Sequence, residues 1–144
     1  MSKKIVYIDG VFDLFHRGHL ESLIKAKNSL NEPDNTILLV GVVSDSDCIS
    51  YKRKPIISET DRVEIIRNIK MVDNVIFPCP MAPTMEFIKK YKIDIVVHGF
   101  SNDMDREKQK EFFAEIKANG CFKEIEYYSG TSTTEIIRNI KNNY

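Results

Sequence analysis

The chain has 144 residues, with 21 Lys and Arg balanced by 21 Asp and Glu, 42% hydrophobic side chains and 29% charged. A domain of this length buries roughly two-thirds of its unfolded surface, so it folds without disulfides or a structural metal, and wholesale disorder is excluded. Zero net charge gives no long-range field for gathering polyanions, which argues against a nucleic-acid or anionic-membrane binder working through bulk charge and leaves only a local basic site open.

From the N-terminus, Lys3 and Lys4 lead into Ile5-Val-Tyr-Ile8, a buried strand that stops at Asp9. That apolar run is too short for a signal-peptide core or a membrane span, so the expected location is cytoplasmic. A first helix follows, with Leu20, Leu23 and Ile24 on one face. Thr36 to Val43 is the second strand, Val63, Ile66 and Ile69 to Lys70 trace a helix, and Val75-Ile-Phe77 is a short third strand. Met85 to Tyr91 is helical and Ile93 to Val97 is strand four. Phe112, Phe113 and Ile116 mark a further helix, Glu124 to Tyr128 strand five, and Ile136, Ile137 and Ile140 the last helix. No linker or internal repeat interrupts the chain, so residues 1–144 are read as one domain. Strand alternating with helix predicts right-handed crossovers and an α/β, Rossmann-like doubly wound parallel sheet, which binds ligands beyond the carboxyl ends of its strands.

Cys48, Cys79 and Cys121 are odd in number, far apart and without Cys-x-x-Cys spacing, which reads as reduced thiols. The loop after strand one is richer. Asp9-Gly-Val-Phe-Asp-Leu-Phe-His16-Arg-Gly-His19 opens the first helix, and its two histidines stand at i and i+3 on one face of the first turn. Free N–H groups and the positive end of the helix dipole favour a phosphate there, and two imidazole donors would stabilise charge developing on phosphorus. The residues alone also admit two structural histidines or a zinc pair, although the third histidine, His98, lies on another loop.

Gly10-Val-Phe-Asp-Leu-Phe-His16-Arg-Gly-His19 resembles the His-x-Gly-His signature of the cytidylyltransferases, and Tyr7-Ile-Asp9-Gly10 is similar to the choline-phosphate and ethanolamine-phosphate members. Four further blocks continue the resemblance in order. These are Leu39 to Asp45, Tyr51 to Ile57, Ile69 to Ile76, and Ser129-Gly130-Thr-Ser132-Thr133-Thr134. The resemblance implies a fold of nucleotidyltransferase type and a CTP-dependent transfer onto a phosphorylated amino alcohol, forming CDP-ethanolamine or CDP-choline for phospholipid synthesis. It also implies a homodimer bordered by the Ile69 to Ile76 segment. It assigns His16, His19 and Lys52 to catalysis, with Lys52 bridging the attacking phosphate and the CTP α-phosphate. Nucleotide-binding roles fall on Val11, Phe12, His98, Gly130, Thr131, Ser132, Thr133 and Thr134, and substrate contacts on Asp9, Lys52 and Met81. Arg62 matches a family arginine that faces either a ligand or a subunit contact.

Physical readings sit beside these assignments. Lys52, Arg53 and Lys54 are expected in an eight-residue polar loop, with Arg53 and Lys54 as solvated surface. Ser58-Glu-Thr-Asp61 and Ser132-Thr-Thr-Glu135 have capping-box spacing. Asp45-Ser46-Asp47 is read as turn capping rather than a metal cluster. The ion expected is Mg²⁺ arriving with CTP, because such an ion keeps its waters and uses few protein ligands.

The chain departs from the family in two places. Tyr127-Tyr128-Ser129-Gly130 stands where the family has Arg-Thr-Glu-Gly, removing an arginine near the triphosphate and a charge-assisted contact of about 1.5–3 kcal/mol. After His98-Gly99 comes Phe100 rather than an acid. A catalytically weak nucleotide-binding module, like the second half of tandem ethanolamine-phosphate enzymes, is therefore an alternative. A dinucleotide-dependent redox domain is disfavoured because the first loop lacks Gly-x-Gly-x-x-Gly. Met81 replaces the family's choline-facing Trp, which together with His98-Gly99 points to phosphoethanolamine.

Overall fold

The computed structural model describes residues 2–144. Five parallel strands, β1 (Lys4–Gly10), β2 (Thr36–Val42), β3 (Asn74–Ile76), β4 (Ile95–His98) and β5 (Phe122–Glu124), lie in the order β3-β2-β1-β4-β5. The chain winds outward from β1 to β3, then returns to the other side of β1 through β4. The switch point therefore falls between β1 and β4, whose carboxyl ends carry Asp9 and His98.

Successive side chains of a strand point to opposite faces, and the core divides accordingly. Val6, Ile8, Leu38, Val40 and Val42 meet Leu23 and Ala26 of α1 (Arg17–Lys27) and Val63 and Ile66 of α3 (Glu59–Arg67). Tyr7, Leu39 and Val96 turn the other way, onto Ile88 of α4 (Met85–Tyr91), Phe113 of a 3-10 turn (Lys110–Phe113) and Ile116 of α6 (Ala114–Ala118). Gly41 in β2 makes room for this layer, since a Cβ there would overlap the buried Tyr7 hydroxyl.

Several elements differ from the sequence expectation. Residues 45–51, assigned no helix from sequence and read at Asp45 to Asp47 as turn capping, form α2 (Asp45–Tyr51). Helix propensity in Asp-Ser-Asp-Cys-Ile-Ser-Tyr is poor, but Ser44 caps the Asp47 N–H at 3.1 Å and buried Cys48 anchors the turn. Lys52 is accordingly the C-cap of α2 and opens the loop, residues 52–58, that also carries Arg53 and Lys54 as expected. A further helix, α5 (Asp103–Gln109), fills a stretch to which the sequence assigned no element, capped by Asn102. The helix expected around Phe112 to Ile116 is split between the 3-10 turn and α6. Strand five ends at Glu124 instead of running from 124 to 128. Its partner β4 finishes at His98 and turns away at Gly99, so after the Ile125 N–H reaches the His98 carbonyl at 3.0 Å no edge remains to pair with. The freed segment runs toward α7 (Thr133–Asn143), whose cap is Ser132 as its spacing predicts.

Candidate active site

A cavity of about 520 Å³ opens at the carboxyl edge of the sheet, directly over the β1/β4 switch point. Its floor begins with the loop between β1 and α1. Phe12 and Leu14 there take left-handed φ values of 57° and 51°, conformations that cost about 1–3 kcal/mol each for non-glycine residues. Burial of the Phe12 ring offsets that cost and turns the chain sharply enough to present His16 and His19 to the cavity.

His16 is the N-cap of α1, not its first helical residue. Its Nδ1 accepts the Gly18 N–H at 2.9 Å, and the His16 N–H is accepted by His19 Nδ1 at 3.2 Å, a reciprocal cap built from two imidazoles. With both Nδ1 atoms acting as acceptors, each neutral ring carries its proton on Nε2. The His16 Nε2–H donates to Thr133 Oγ1 at 3.2 Å, and the Thr133 hydroxyl donates to the Asp13 carbonyl at 3.1 Å. This chain ties the N-terminus of α1 to that of α7. The rings stack with centroids 3.9 Å apart, and Phe12 and Phe15 pack against His19 at 5.5 Å. A side chain at Gly18 would bring a Cβ within 2.7 Å of His16 Cε1 and 3.3 Å of the Thr131 carbonyl, so the glycine between the histidines is sterically required.

Both imidazoles are held neutral. Burial lowers His16, while burial, the neighbouring His16 and the Lys52 charge lower His19 from 6.5 to about 3. The unfolded chain therefore takes up protons at higher pH than the folded one, and stability falls as pH falls from about 6.5 toward about 3. We expect the melting temperature to drop across that window. The drop should be shallower in His19→Gln; superimposable pH profiles for the two proteins would refute the assignment.

The opposite wall comes from the end of α2. Lys52 and Arg53 line the cavity mouth and Lys54 does not; Arg53 and Lys54 are both exposed, as expected of solvated surface. Their chain is fixed by Asp13, a buried acid missed at the sequence level, whose carboxylate accepts the Ile56 and Ile57 N–H groups at 2.8 and 2.9 Å. An acid between two large apolar residues in a glycine-bearing loop was the available signal. Arg62 faces neither cavity nor surface. It is fully buried and donates to the Val11, Val43 and Ile57 carbonyls and to Asp45 Oδ1 at 2.6 Å.

Of the other expected residues, Asp9, Val11, Phe12, Met81 and His98 all line the cavity, as do Ser132, Thr133 and Thr134. Gly130 and Thr131 do not. Gly130 lies under the Tyr128 ring, and Thr131 turns its carbonyl toward Gly18. His98 Nδ1 is buried without a hydrogen-bond partner, 3.7 Å from Asp9 Oδ1, with its ring against Phe100 and Phe113. Tyr127 occupies the rim with its hydroxyl pushed up in pKa, by burial first and then by Asp105 and Glu135. Tyr51, Ser101, Asp105 and Gln109 also line the cavity, and the sequence reading had given none of them a role.

Among the described residues no cluster of three His, Cys, Asp or Glu could hold a metal ion. Two of the nearby acids are already engaged, Asp13 by two backbone N–H groups and Asp45 by Arg62. Ser44, rather than Asp45 to Asp47, supplies the cap of α2.

Sheet order and cavity position define a doubly wound α/β domain of the nucleotidyltransferase type. The chain belongs to the cytidylyltransferase-like family, whose model matches residues 7–139. It is 39% identical over 140 residues to choline-phosphate cytidylyltransferase 2 of Arabidopsis thaliana, covering 96% of this chain and 45% of that protein. It is 35% identical over 136 residues to ethanolamine-phosphate cytidylyltransferase of the same plant, covering 92% and 31%. The chain thus spans less than half the length of these curated relatives. Among solved structures, the lipopolysaccharide core biosynthesis protein of Thermoplasma volcanium GSS1 superposes with a TM-score of 0.65 at 26% identity, covering 87% of this chain and 96% of that one. No described helix is long and apolar enough to cross a membrane.

Proposed function

We propose that this chain transfers a cytidylyl group from CTP to a small phosphorylated alcohol, with phosphoethanolamine as the preferred acceptor. The observation that carries this reading is the pair of neutral imidazoles fixed by their Nδ1 atoms at a helix N-terminus, facing a lysine across a switch-point cavity. A phosphate oxygen of the acceptor attacks the α-phosphorus of CTP in line, and the bond from that phosphorus to the bridging oxygen of the β-phosphate breaks. Pyrophosphate then leaves toward Ser132 to Thr134. His19 Nε2–H and the Lys52 ammonium stabilise charge gathering on the α-phosphoryl oxygens, and His16 does so once its Nε2–H turns from Thr133 to the ligand. The N-termini of α1 and α7 add their dipoles. Mg²⁺ would enter on the triphosphate, neutralise part of its charge and keep its waters, because two of the acids nearby, Asp13 and Asp45, are already committed.

A homodimer forms part of the proposal; exposed Ile56 and Ile65 beside α3 offer an apolar surface for it. A second reading, a module that binds CTP but turns it over weakly, is favoured by one observation: Tyr127 in the arginine's place on the rim.

Purified protein with Mg²⁺ and CTP is expected to release pyrophosphate with phosphoethanolamine, more slowly with phosphocholine, and least with glycerol 3-phosphate. CTP binding without pyrophosphate from any acceptor would transfer the case to the second reading, and neither binding nor release would defeat both.

A further inference from the structure

The cavity that carries His16, His19 and Lys52 also holds a carboxylate with no cation in salt-bridge contact. Asp105, in the first turn of α5, lines the cavity and is half-buried. Both its oxygens are pinned. Oδ2 accepts the Ser101 N–H at 3.0 Å, and Oδ1 accepts the Gln109 side-chain amide at 2.8 Å. Among the described residues no Lys, Arg or His comes within salt-bridge range of it. Its neighbour Arg106 is engaged instead by Glu124 and Asp103.

Burial alone would push this carboxyl up in pKa. The Ser101 N–H, the Gln109 amide and the charge of Lys52 outweigh burial and hold it below the ordinary range, so Asp105 is ionised at neutral pH. An ionised acid in a cavity that admits a triphosphate repels its own ligand unless the ligand set contains a positive charge facing it. Asp105 shares the cavity wall with the Gln109 amide and the Ser101 hydroxyl and lies within electrostatic reach of the Tyr51 and Tyr127 hydroxyls. Those oxygens give a primary ammonium acceptors for its N–H bonds, and the two tyrosine rings add an aromatic wall that an ammonium can face.

We infer that Asp105 is a specificity-determining residue, fixed by Ser101 and Gln109 to accept the ammonium group of the acceptor while Lys52 takes its phosphate. The inference rests on reading the cavity as a phosphate site. It sets one cation, Lys52, and one anion, Asp105, in the same cavity, a pairing that a small zwitterionic phosphoamine complements and a phosphorylated neutral alcohol does not.

Calorimetry with phosphoethanolamine and ethyl phosphate, which share the phosphate and differ in the ammonium, tests this without turnover. Wild-type protein should bind phosphoethanolamine the tighter of the two. Asp105→Asn keeps an acceptor for the Ser101 N–H and removes the charge. It should weaken phosphoethanolamine roughly 10- to 100-fold, leave ethyl phosphate unchanged, and raise KM for phosphoethanolamine but not for CTP. An unchanged melting temperature separates this from a capping role for α5. Equal weakening of both phosphates, no weakening of either, or no preference in the wild type would overturn the inference. A wild type that binds both phosphates yet releases no pyrophosphate would instead count against cytidylyl transfer, leaving the role of Asp105 to the binding ratio.

Discussion

Replacing His19 with alanine is expected to lower kcat about 10²- to 10³-fold, the scale seen when one pre-oriented transition-state donor is removed. KM for CTP should change little. The size of the effect follows from how few donors remain. In the ring stacked on His19, His16 Nε2 is already occupied by Thr133 Oγ1 at 3.2 Å, and Lys52 supplies a mobile point charge rather than a directed N–H. His19 Nε2 is the donor whose direction is fully set, by its Nδ1 contact with the His16 N–H and by packing against Phe12, Phe15 and His16. Neutrality is part of that role. A ring whose pKa is lowered to about 3 stays uncharged across the physiological range, so no titration of His19 should appear in the activity profile between pH 6 and 8. Pre-steady-state measurement of pyrophosphate release would check the loss in the chemical step. Near wild-type turnover, or a loss confined to KM, would remove His19 from the mechanism.

Arg62→Met should destabilise the fold by about 3 kcal/mol, near the lower bound for breaking a buried charge pair, because Asp45 retains partial access to water. For a domain of this size that is a fall of roughly 6–12 °C in melting temperature. The guanidinium is wholly buried and makes four hydrogen bonds of 2.6–3.0 Å. Losing it strands the carbonyls of Val11, Val43 and Ile57 in a dry interior. Arg62→Lys should recover little, since one ammonium cannot span the positions reached by the planar fork. Two of those carbonyls end the β1 and β2 segments over which the cavity is built, so the variant should also raise KM for CTP at temperatures where it remains folded. Chemical denaturation and thermal melts would measure the loss; a melting temperature within two or three degrees of wild type would contradict the role of Arg62 as an interior strut.

The contrast between these two residues explains what was legible in the chain. His16 and His19 could be found by spacing, because a cap at the start of a helix is a local arrangement and His-x-Gly-His directly follows a strand. Arg62 could be seen to matter but not why. Its partners lie up to 51 positions away in sequence, and only the approach of α3 to the ends of β1 and β2 brings them together. Asp13 is similar. It is visible as an acid among apolar neighbours, but its acceptors' partners, Ile56 and Ile57, are brought near by α2, a helix whose residues have no local reason to form one. The error over strand five has the same origin, for residues 125–128 are apolar and aromatic enough to pair but have no partner edge beyond His98.

Charge balance alone excluded a broad polyanion surface, and periodicity alone established alternating strands and helices, because both depend on composition and on neighbours within a few residues. The tertiary structure decided how the charges are apportioned within one cavity: His16, His19 and Lys52 at the ends of α1 and α2, and Asp105 on α5. No local pattern encodes that division. It arises when the switch from β1 to β4 folds four distant segments over the same edge of the sheet, where low dielectric and fixed backbone donors give each charge its state.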